Sequence, residues 1–224
     1  NDLSMALGSS SLSLYELTNA YATFANQGRI FKPTFIKKIL DRDGNLIEEN
    51  PPLFYPKESS EEEQVLAPQT AYLMTYLLEG VVQHGTGWKA KALKRPVAAK
   101  TGTTDEFIDA WFIGYTPEFI TGVWVGFDDE ISLGENETGS RTASPIWVAF
   151  MSKVLKDKPV QDFPIPEGVE FAKIDPRTGQ SGAGGETILE CFKEGTGPVR
   201  EVKTHLKTTT DFFKYDFNLS TKTQ

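Results

Sequence analysis

Residues 97–104 read Val97-Ala98-Ala99-Lys100-Thr101-Gly102-Thr103-Thr104, an apolar run that passes into a cation, hydroxyls and a glycine. This pattern predicts a short strand with Lys100 exposed at its end. The alternation of side chains along a strand puts the Thr101 and Thr103 hydroxyls on one face. A lone Lys-Thr-Gly tripeptide is weak evidence, because average residue usage gives it by chance in roughly one chain in twenty of this length. For the tripeptide alone, an ordinary strand with an exposed lysine remains an alternative.

The residue types suit the recognition of an anionic peptide. Lys100 offers a fixed positive charge to a carboxylate or to a proton transfer nearby. The two flanking hydroxyls, on Thr101 and Thr103, can donate hydrogen bonds to the same carboxylate. Gly102 lacks a side chain where a peptide backbone must approach closely. The amide of Thr103 is then free to point at a developing oxyanion.

Two more sequence blocks follow closely, Asp109-Ala110-Trp111-Phe112 and Gly114-Tyr115-Thr116-Pro117. Together with residues 100–104 they resemble the third active-site motif of penicillin-binding transpeptidases, and most closely that of the class A, bifunctional branch. Chance agreement with the whole block is negligible. The resemblance extends over roughly residues 3–198 and includes words in the first helix, such as Glu16-Leu17 and Ala20-Tyr21.

The resemblance implies a fold and a set of functional residues. The fold is α+β, an antiparallel sheet packed with helices as in penicillin-binding proteins and serine β-lactamases, here incomplete at the N-terminal side. Lys100 and Thr103 are the implied catalytic residues, and the substrate pairs along their strand in extended form. The implied substrate-binding residues are Thr101, Gly102, Thr103 and Thr104. The implied partners are peptidoglycan stem peptides and β-lactam antibiotics, and neither a cofactor nor a metal is expected.

Two of the three motifs of such an enzyme are missing from the chain. A serine transpeptidase needs Ser-x-x-Lys for nucleophile and base and Ser-x-Asn for proton transfer, besides the lysine strand. No serine among the 224 residues has lysine three positions later or asparagine two positions later. Since the family places both motifs upstream, we expect residues 1–157 to be the C-terminal portion of a transpeptidase domain and 158–224 an extended, proline- and glycine-containing tail. The parent is then extracytoplasmic, with an N-terminal membrane anchor.

Two other functions stay open at this point. One is a related D,D-carboxypeptidase or β-lactamase-like serine hydrolase, against which the Asp109-Ala110-Trp111-Phe112 block and the long tail argue. The other is a non-catalytic binding or sensory module that keeps the fold without the chemistry. The missing serine favours this module only superficially, because the missing upstream motifs explain the absence more simply. The upstream sequence would decide between them.

Composition narrows the function classes further. The net charge of -8 and the sequence pI near 4.9 argue against nucleic-acid binding, which needs a basic face. No apolar run approaches the roughly 18 residues that span a bilayer. The single cysteine, Cys191, forms no internal disulfide, and the two histidines, His84 and His205, are too few and too isolated for a metal site.

The remaining elements follow from local patterns. A capping box at Ser13 predicts a helix over 13–26, and Asp-Gly predicts a hairpin over 34–49. The proline- and glutamate-rich residues 50–64 predict a solvated connector, and Pro68 begins a helix that ends at His84 and is apolar almost all round. We expect its side chains to be buried.

The chain after the lysine strand predicts a second hairpin and a last helix. Residues 110–115 and 119–127 form the hairpin, and 128–141 an acidic loop near the motif. Ser144-Pro145 predicts the cap and first turn of a helix buried on both sides. Three strand glycines suggest that this helix packs against the sheet: Gly114, Gly122 and Gly126. In the resembled fold an upstream strand pairs with 119–127, so without it we expect that edge to favour self-association.

Overall fold

The computed structural model describes residues 8, 10–30, 33, 35–49, 64–181 and 187–198. The expected connector over 50–64 and the last 26 residues of the expected tail fall almost wholly outside these ranges. The described helices and strands are, in chain order, α1 (Leu14–Ala25), β1 (Lys38–Leu40), β2 (Leu46–Glu49), α2 (Pro68–His84), β3 (Ala98–Thr103), β4 (Ala110–Tyr115), β5 (Ile120–Val125), α3 (Ser144–Val154), β6 (Val169–Ile174) and β7 (Ile188–Lys193). The predicted α+β class is confirmed.

The central sheet is antiparallel with the order β3-β4-β5. Thr103 lies opposite Ala110, and Ala110 lies opposite Val125, so the three strands are in close register. This arrangement confirms the predicted hairpin of 110–115 with 119–127. It arises because alternating β-branched and aromatic side chains on these strands give the sheet two apolar faces.

Helix α3 covers one face of the sheet. The Trp147 ring lies 5.2 Å from the Phe112 ring, and the Trp147 indole N–H donates to the Thr121 carbonyl oxygen at 2.9 Å. A Cβ atom on Gly114 would stand 2.8 Å from the Trp147 ring. Gly114 therefore permits the close approach of α3 to β4, as predicted.

Helix α1 lies on the opposite face, and α2 contributes residues to the cores on both faces, Tyr72 to one and Val82 to the other. A Cβ atom on Gly122 would stand 2.8 Å from Leu14 of α1, and one on Gly126 would meet the Trp124 ring. The prediction that all three strand glycines face α3 is therefore wrong for these two. Successive side chains point to opposite faces of a strand, so the pattern of glycines alone does not identify the helix on each face.

Both helix starts predicted from local patterns in α1 and α2 are confirmed. The Ser13 and Glu16 side chains form a capping box at α1, and α2 has proline in its first turn. Seven of the 17 residues of α2 are buried and Leu77 is 59% exposed, so the predicted burial of the helix holds only in part. Among the described residues, no helix has the length and apolar character that a membrane crossing requires.

Helix α3 begins at Ser144 with proline in its first turn, as predicted, but its predicted serine cap and its predicted burial on both sides are wrong. Gly139–Ala143 forms a π-helical turn that leads directly into α3, and the Thr138 hydroxyl accepts from the Arg141 N–H at its start. Ser144 is therefore inside a continuous helical segment and caps nothing. Ile146 and Phe150 are each 51% exposed, because α3 contacts the sheet through one face only.

The C-terminal part of the chain also differs from the extended tail that the sequence predicted. Strands β6 and β7 pair as an antiparallel hairpin. The hairpin packs on α2, where the Tyr76 hydroxyl donates to the Leu189 carbonyl oxygen at 3.0 Å. Prolines and glycines around the strands gave the impression of an extended segment. The boundary between 157 and 158 stays a prediction.

A buried carboxyl lies in α2 between the sheet and this hairpin. Glu79 is 1% exposed, and neither of its carboxyl oxygens has a hydrogen-bond partner among the described residues. Burial, and then the nearby charge of Asp162, raise the pKa of Glu79 well above its usual value. Burial also raises the pKa of Cys191, to about 12. Burial therefore favours the neutral form of both groups in this core.

Candidate active site

The candidate site is built on the edge of β3 that faces away from β4. Within the described residues β3 pairs with β4 alone. The Thr104 N–H donates to the Asp109 carbonyl oxygen at 3.2 Å, and this bond shows which peptide groups of β3 face β4. Peptide groups alternate in direction along an antiparallel strand, so those of Thr101 and Thr103 point away from β4. The Thr103 N–H thus stands on the open edge.

Lys100 lies on this strand with its side chain exposed. Its ammonium group donates to the Thr101 carbonyl oxygen at 2.7 Å, which keeps the charge beside the open edge. Lys100 is the third of six residues in β3, so its predicted place at the end of the strand is wrong. The strand continues because residues 101–103 still pair with β4.

The Thr101 and Thr103 side chains lie on the same face of β3, two positions apart. The Thr101 hydroxyl is 2.7 Å from the Thr86 hydroxyl. The Thr103 hydroxyl accepts the Gly139 N–H at 3.1 Å. Thr86 and Gly139 are therefore neighbours of the motif that the sequence reasoning did not assign. Nothing in the local pattern of residues 85–87, which follow the end of α2, indicates the contact of Thr86 with Thr101.

Gly102 is needed for packing on two sides. A Cβ atom at Gly102 would lie 3.1 Å from the Trp111 Cβ atom of the neighbouring strand. From the other face, a Cβ atom at Gly139 would lie 2.5 Å from the Gly102 carbonyl oxygen and would also overlap the Trp111 carbonyl oxygen. The two glycines therefore let the π-helical turn lie directly against the backbone of β3 and β4.

Thr104 closes the connection between β3 and β4. Its hydroxyl accepts the Asp109 N–H at 2.8 Å, and Asp109 in turn accepts the Trp124 indole N–H at 2.7 Å. The side chain of Asp109 thus ties this connection to β5. The arrangement gives a structural reason for an aspartate directly before the Ala110-Trp111-Phe112 block.

The loop over 128–141 lies beside the motif, as predicted. The Leu133 N–H donates to the Phe107 carbonyl oxygen at 2.9 Å, and the Ser132 hydroxyl donates to the Glu106 carbonyl oxygen at 2.6 Å. These bonds attach the loop to the β3–β4 connection. The end of the same loop supplies Gly139 to Thr103, so it borders two sides of the motif.

The chain is similar in sequence to a known family of proteins. A family model described as the penicillin binding protein transpeptidase domain matches residues 1–151. Penicillin-binding protein 1A of Aquifex aeolicus is 44% identical over 174 residues, which cover 78% of this chain and 23% of that protein. Penicillin-binding protein 1A of Pseudomonas aeruginosa is 36% identical, covering 88% of this chain and 29% of that protein.

Structural similarity extends over most of the chain. The crystal structure of penicillin-binding protein 1A from Haemophilus influenzae superposes with a TM-score of 0.78 at 28% identity, covering 89% of this chain and 34% of that one. The chain spans between a fifth and a third of the length of the two curated relatives. The family model, the relatives and the shared fold lead to one conclusion: this chain belongs to the penicillin-binding protein transpeptidase family.

Proposed function

We propose that this chain carries the lysine-strand portion of a peptidoglycan D,D-transpeptidase that works by serine acyl transfer. In the complete enzyme, a serine attacks the carbonyl of a stem peptide ending in D-alanyl-D-alanine and releases D-alanine. The acyl group then passes to the amine of a second stem peptide. β-lactams would acylate the same serine. The parent would be extracytoplasmic, held by an N-terminal membrane anchor.

The open edge of β3 carries this proposal. An extended peptide that pairs along the edge meets the exposed Lys100 ammonium, which suits a terminal carboxylate. The Thr101 and Thr103 hydroxyls lie along the same stretch, and Gly102 and Thr104 are the other proposed substrate-binding residues of this segment. The Thr103 N–H points outward and would supply one donor of an oxyanion site. Lys100 and Thr103 are thus the proposed catalytic residues.

The nucleophile must come from residues outside this chain. No Ser-x-x-Lys or Ser-x-Asn sequence occurs in the 224 residues. The family model describes a transpeptidase domain, and the matched part covers only 23% and 29% of the two curated relatives. We therefore propose that the chain is the C-terminal part of such a domain and that the upstream half of the domain is its main partner.

The test uses the complete domain that contains these residues. Lys100→Ala should slow acylation by benzylpenicillin on the order of tenfold to a hundredfold, because a charge-assisted contact to the carboxylate is worth about 1.5–3 kcal/mol. Lys153→Ala, which removes an exposed lysine of α3, is the matched control and should leave the rate unchanged. Unchanged acylation in Lys100→Ala would show the lysine to be structural. Turnover of a D-alanyl-D-alanine peptide with an amine acceptor separates transfer from hydrolysis.

The isolated chain should behave differently from the complete domain. Intact-mass analysis after incubation with benzylpenicillin should show no adduct, because the chain lacks the nucleophile motif. A stoichiometric adduct would place the nucleophile within residues 1–224 and overturn this assignment.

The outer edge of β5 indicates the oligomeric state that we expect of the isolated chain. The Thr116 N–H donates to the Phe119 carbonyl oxygen, so the peptide groups of Ile120, Gly122 and Trp124 point away from β4. No described strand pairs with this edge. Such an edge invites pairing with another chain, so light scattering should show more than a monomer unless the upstream half is supplied. A rigid, well-folded monomer would contradict the prediction.

A further inference from the structure

We propose that Thr86 and the turn at Gly139–Ser140 hold the Thr101 and Thr103 hydroxyls as hydrogen-bond donors toward a substrate carboxylate. Thr86 is then a positioning residue, which acts through Thr101 without touching the substrate. This inference rests on the proposed function and deepens it, because it names what orients the two hydroxyls of the motif.

The direction of the hydrogen bond is fixed at Thr103. A backbone N–H only donates, so the Thr103 hydroxyl oxygen accepts from Gly139 in their 3.1 Å contact. The proton of that hydroxyl is therefore left for another acceptor. Gly139 itself is buried against the Gly102 and Trp111 backbones, so this donor is held in place.

The same logic assigns a direction at Thr101. Its hydroxyl lies 2.7 Å from that of Thr86, a pair in which either oxygen can donate. If Thr86 donates, the Thr101 proton is left for the carboxylate, and both motif hydroxyls then have the same polarity. A carboxylate accepts hydrogen bonds only, so its arrival selects this direction.

Thr86 is fixed well enough to act in this way. The N–H groups of Gly85 and Gly87 on either side both donate to the Val81 carbonyl oxygen, at 3.1 and 3.0 Å. The Ser140 hydroxyl donates to the Thr86 carbonyl oxygen at 2.7 Å. The loop is thus attached to the end of α2 and to the π-helical turn.

One short segment therefore reaches both hydroxyls of the motif. Gly139 contacts Thr103 directly, and Ser140 contacts Thr101 through Thr86. The pair of oriented protons lies on one face of β3, and a carboxylate offers two oxygens. This arrangement assigns to the end of the 128–141 loop a part in substrate binding that neither its composition nor its position in the sequence indicates.

The experiment compares two ligands of the complete domain, benzylpenicillin and its methyl ester, which lacks the negative charge. Thr86→Val keeps the shape of the side chain and removes its proton. We expect it to slow acylation by benzylpenicillin about three- to tenfold and to leave acylation by the ester unchanged. Thr86→Ser restores the donor and should restore the benzylpenicillin rate. Thr121→Val removes a hydroxyl of the same sheet that is bonded to Met151 of α3, and it should slow acylation by neither ligand.

The outcomes separate this inference from the proposed function. Equal slowing of both ligands in Thr86→Val, or no slowing of either, overturns the positioning role. Should Thr86→Val fail to fold, Ser140→Ala is the variant to test. It should reduce the acylation rate by a smaller factor, and again only with benzylpenicillin. If the unmodified complete domain forms no adduct with benzylpenicillin, the proposed function itself fails.

Discussion

Replacing Gly139 with alanine is expected to separate the π-helical turn from the sheet. A Cβ atom at this position would lie 2.5 Å from the Gly102 carbonyl oxygen and 3.2 Å from the Gly102 nitrogen, and it would overlap the Trp111 carbonyl oxygen. All three are backbone atoms of paired strands, which cannot rotate away as a side chain can. The turn itself must therefore retreat.

The size of the effect follows from these contacts. Restoring an ordinary carbon–oxygen contact needs a displacement of about 0.5–1 Å. Overpacking of this kind costs about 1–3 kcal/mol of the free energy of unfolding. The same displacement lengthens the 3.1 Å bond from the Gly139 N–H to the Thr103 hydroxyl beyond the normal range. Acylation by benzylpenicillin should then slow together with the loss of stability.

Denaturant unfolding and acylation kinetics of the complete domain measure both effects. Gly80→Ala is the matched control, because a Cβ atom at Gly80 would meet nothing within 4 Å and Gly80 lies inside helix α2. Alanine in a helix interior should be neutral or raise the unfolding free energy by up to about 1 kcal/mol. If Gly139→Ala keeps both the unfolding free energy and the acylation rate of the unmodified domain, the close-contact argument is wrong.

Two further predictions concern stability. Because the pKa of Glu79 is raised in the folded state, the stability that its protonated form contributes is fully present below the usual carboxyl pKa. This stability is lost as pH rises toward the elevated pKa, and the nearby charge of Asp162 further disfavours the ionised form. Above about pH 4.5, the melting temperature of Glu79→Gln should therefore fall less steeply with pH than that of the unmodified protein. Parallel curves for the two proteins would contradict the raised pKa of Glu79. The Arg95 guanidinium donates to the Leu155 carbonyl oxygen at 3.1 Å and to two carbonyls beyond it, so Arg95→Met should cost about 1–3 kcal/mol. Arg177→Met, which removes an exposed arginine, is its control. Equal unfolding free energies in the two variants would show that the three Arg95 hydrogen bonds do not stabilise the fold.

Local patterns predicted the elements that local interactions determine. The capping box at Ser13 and the alternation through 110–115 and 119–127 led to the correct helix and hairpin. Ser144-Pro145 located the start of α3 but not its cap, because a serine followed by a first-turn proline is also compatible with a helical segment that simply continues. The preceding π-helical turn is set by the contact of Gly139 with the sheet, and that contact is absent from the local pattern.

Contacts between distant segments explain the remaining differences. Thr86 meets Thr101 across 15 positions, and Tyr76 meets Leu189 across 113. Neither residue type nor spacing marks such pairs in one sequence. The motif itself was recognisable because residues 100–104 are followed closely by the blocks at 109–112 and 114–117, whereas the groups that orient it come from the end of α2 and from the loop after β5.

The hydrogen bond between Asp109 and the Trp124 indole links a fluorescent side chain to the motif. The same aspartate is tied through its N–H to Thr104, and the Trp111 ring lies 6.1 Å from that of Trp124. Any ligand that draws the β3–β4 connection toward the open edge changes the polarity around two neighbouring indoles. A movement of this kind should therefore change the ultraviolet emission of these two indoles, and its measurement requires neither a label nor completion of the chemical step.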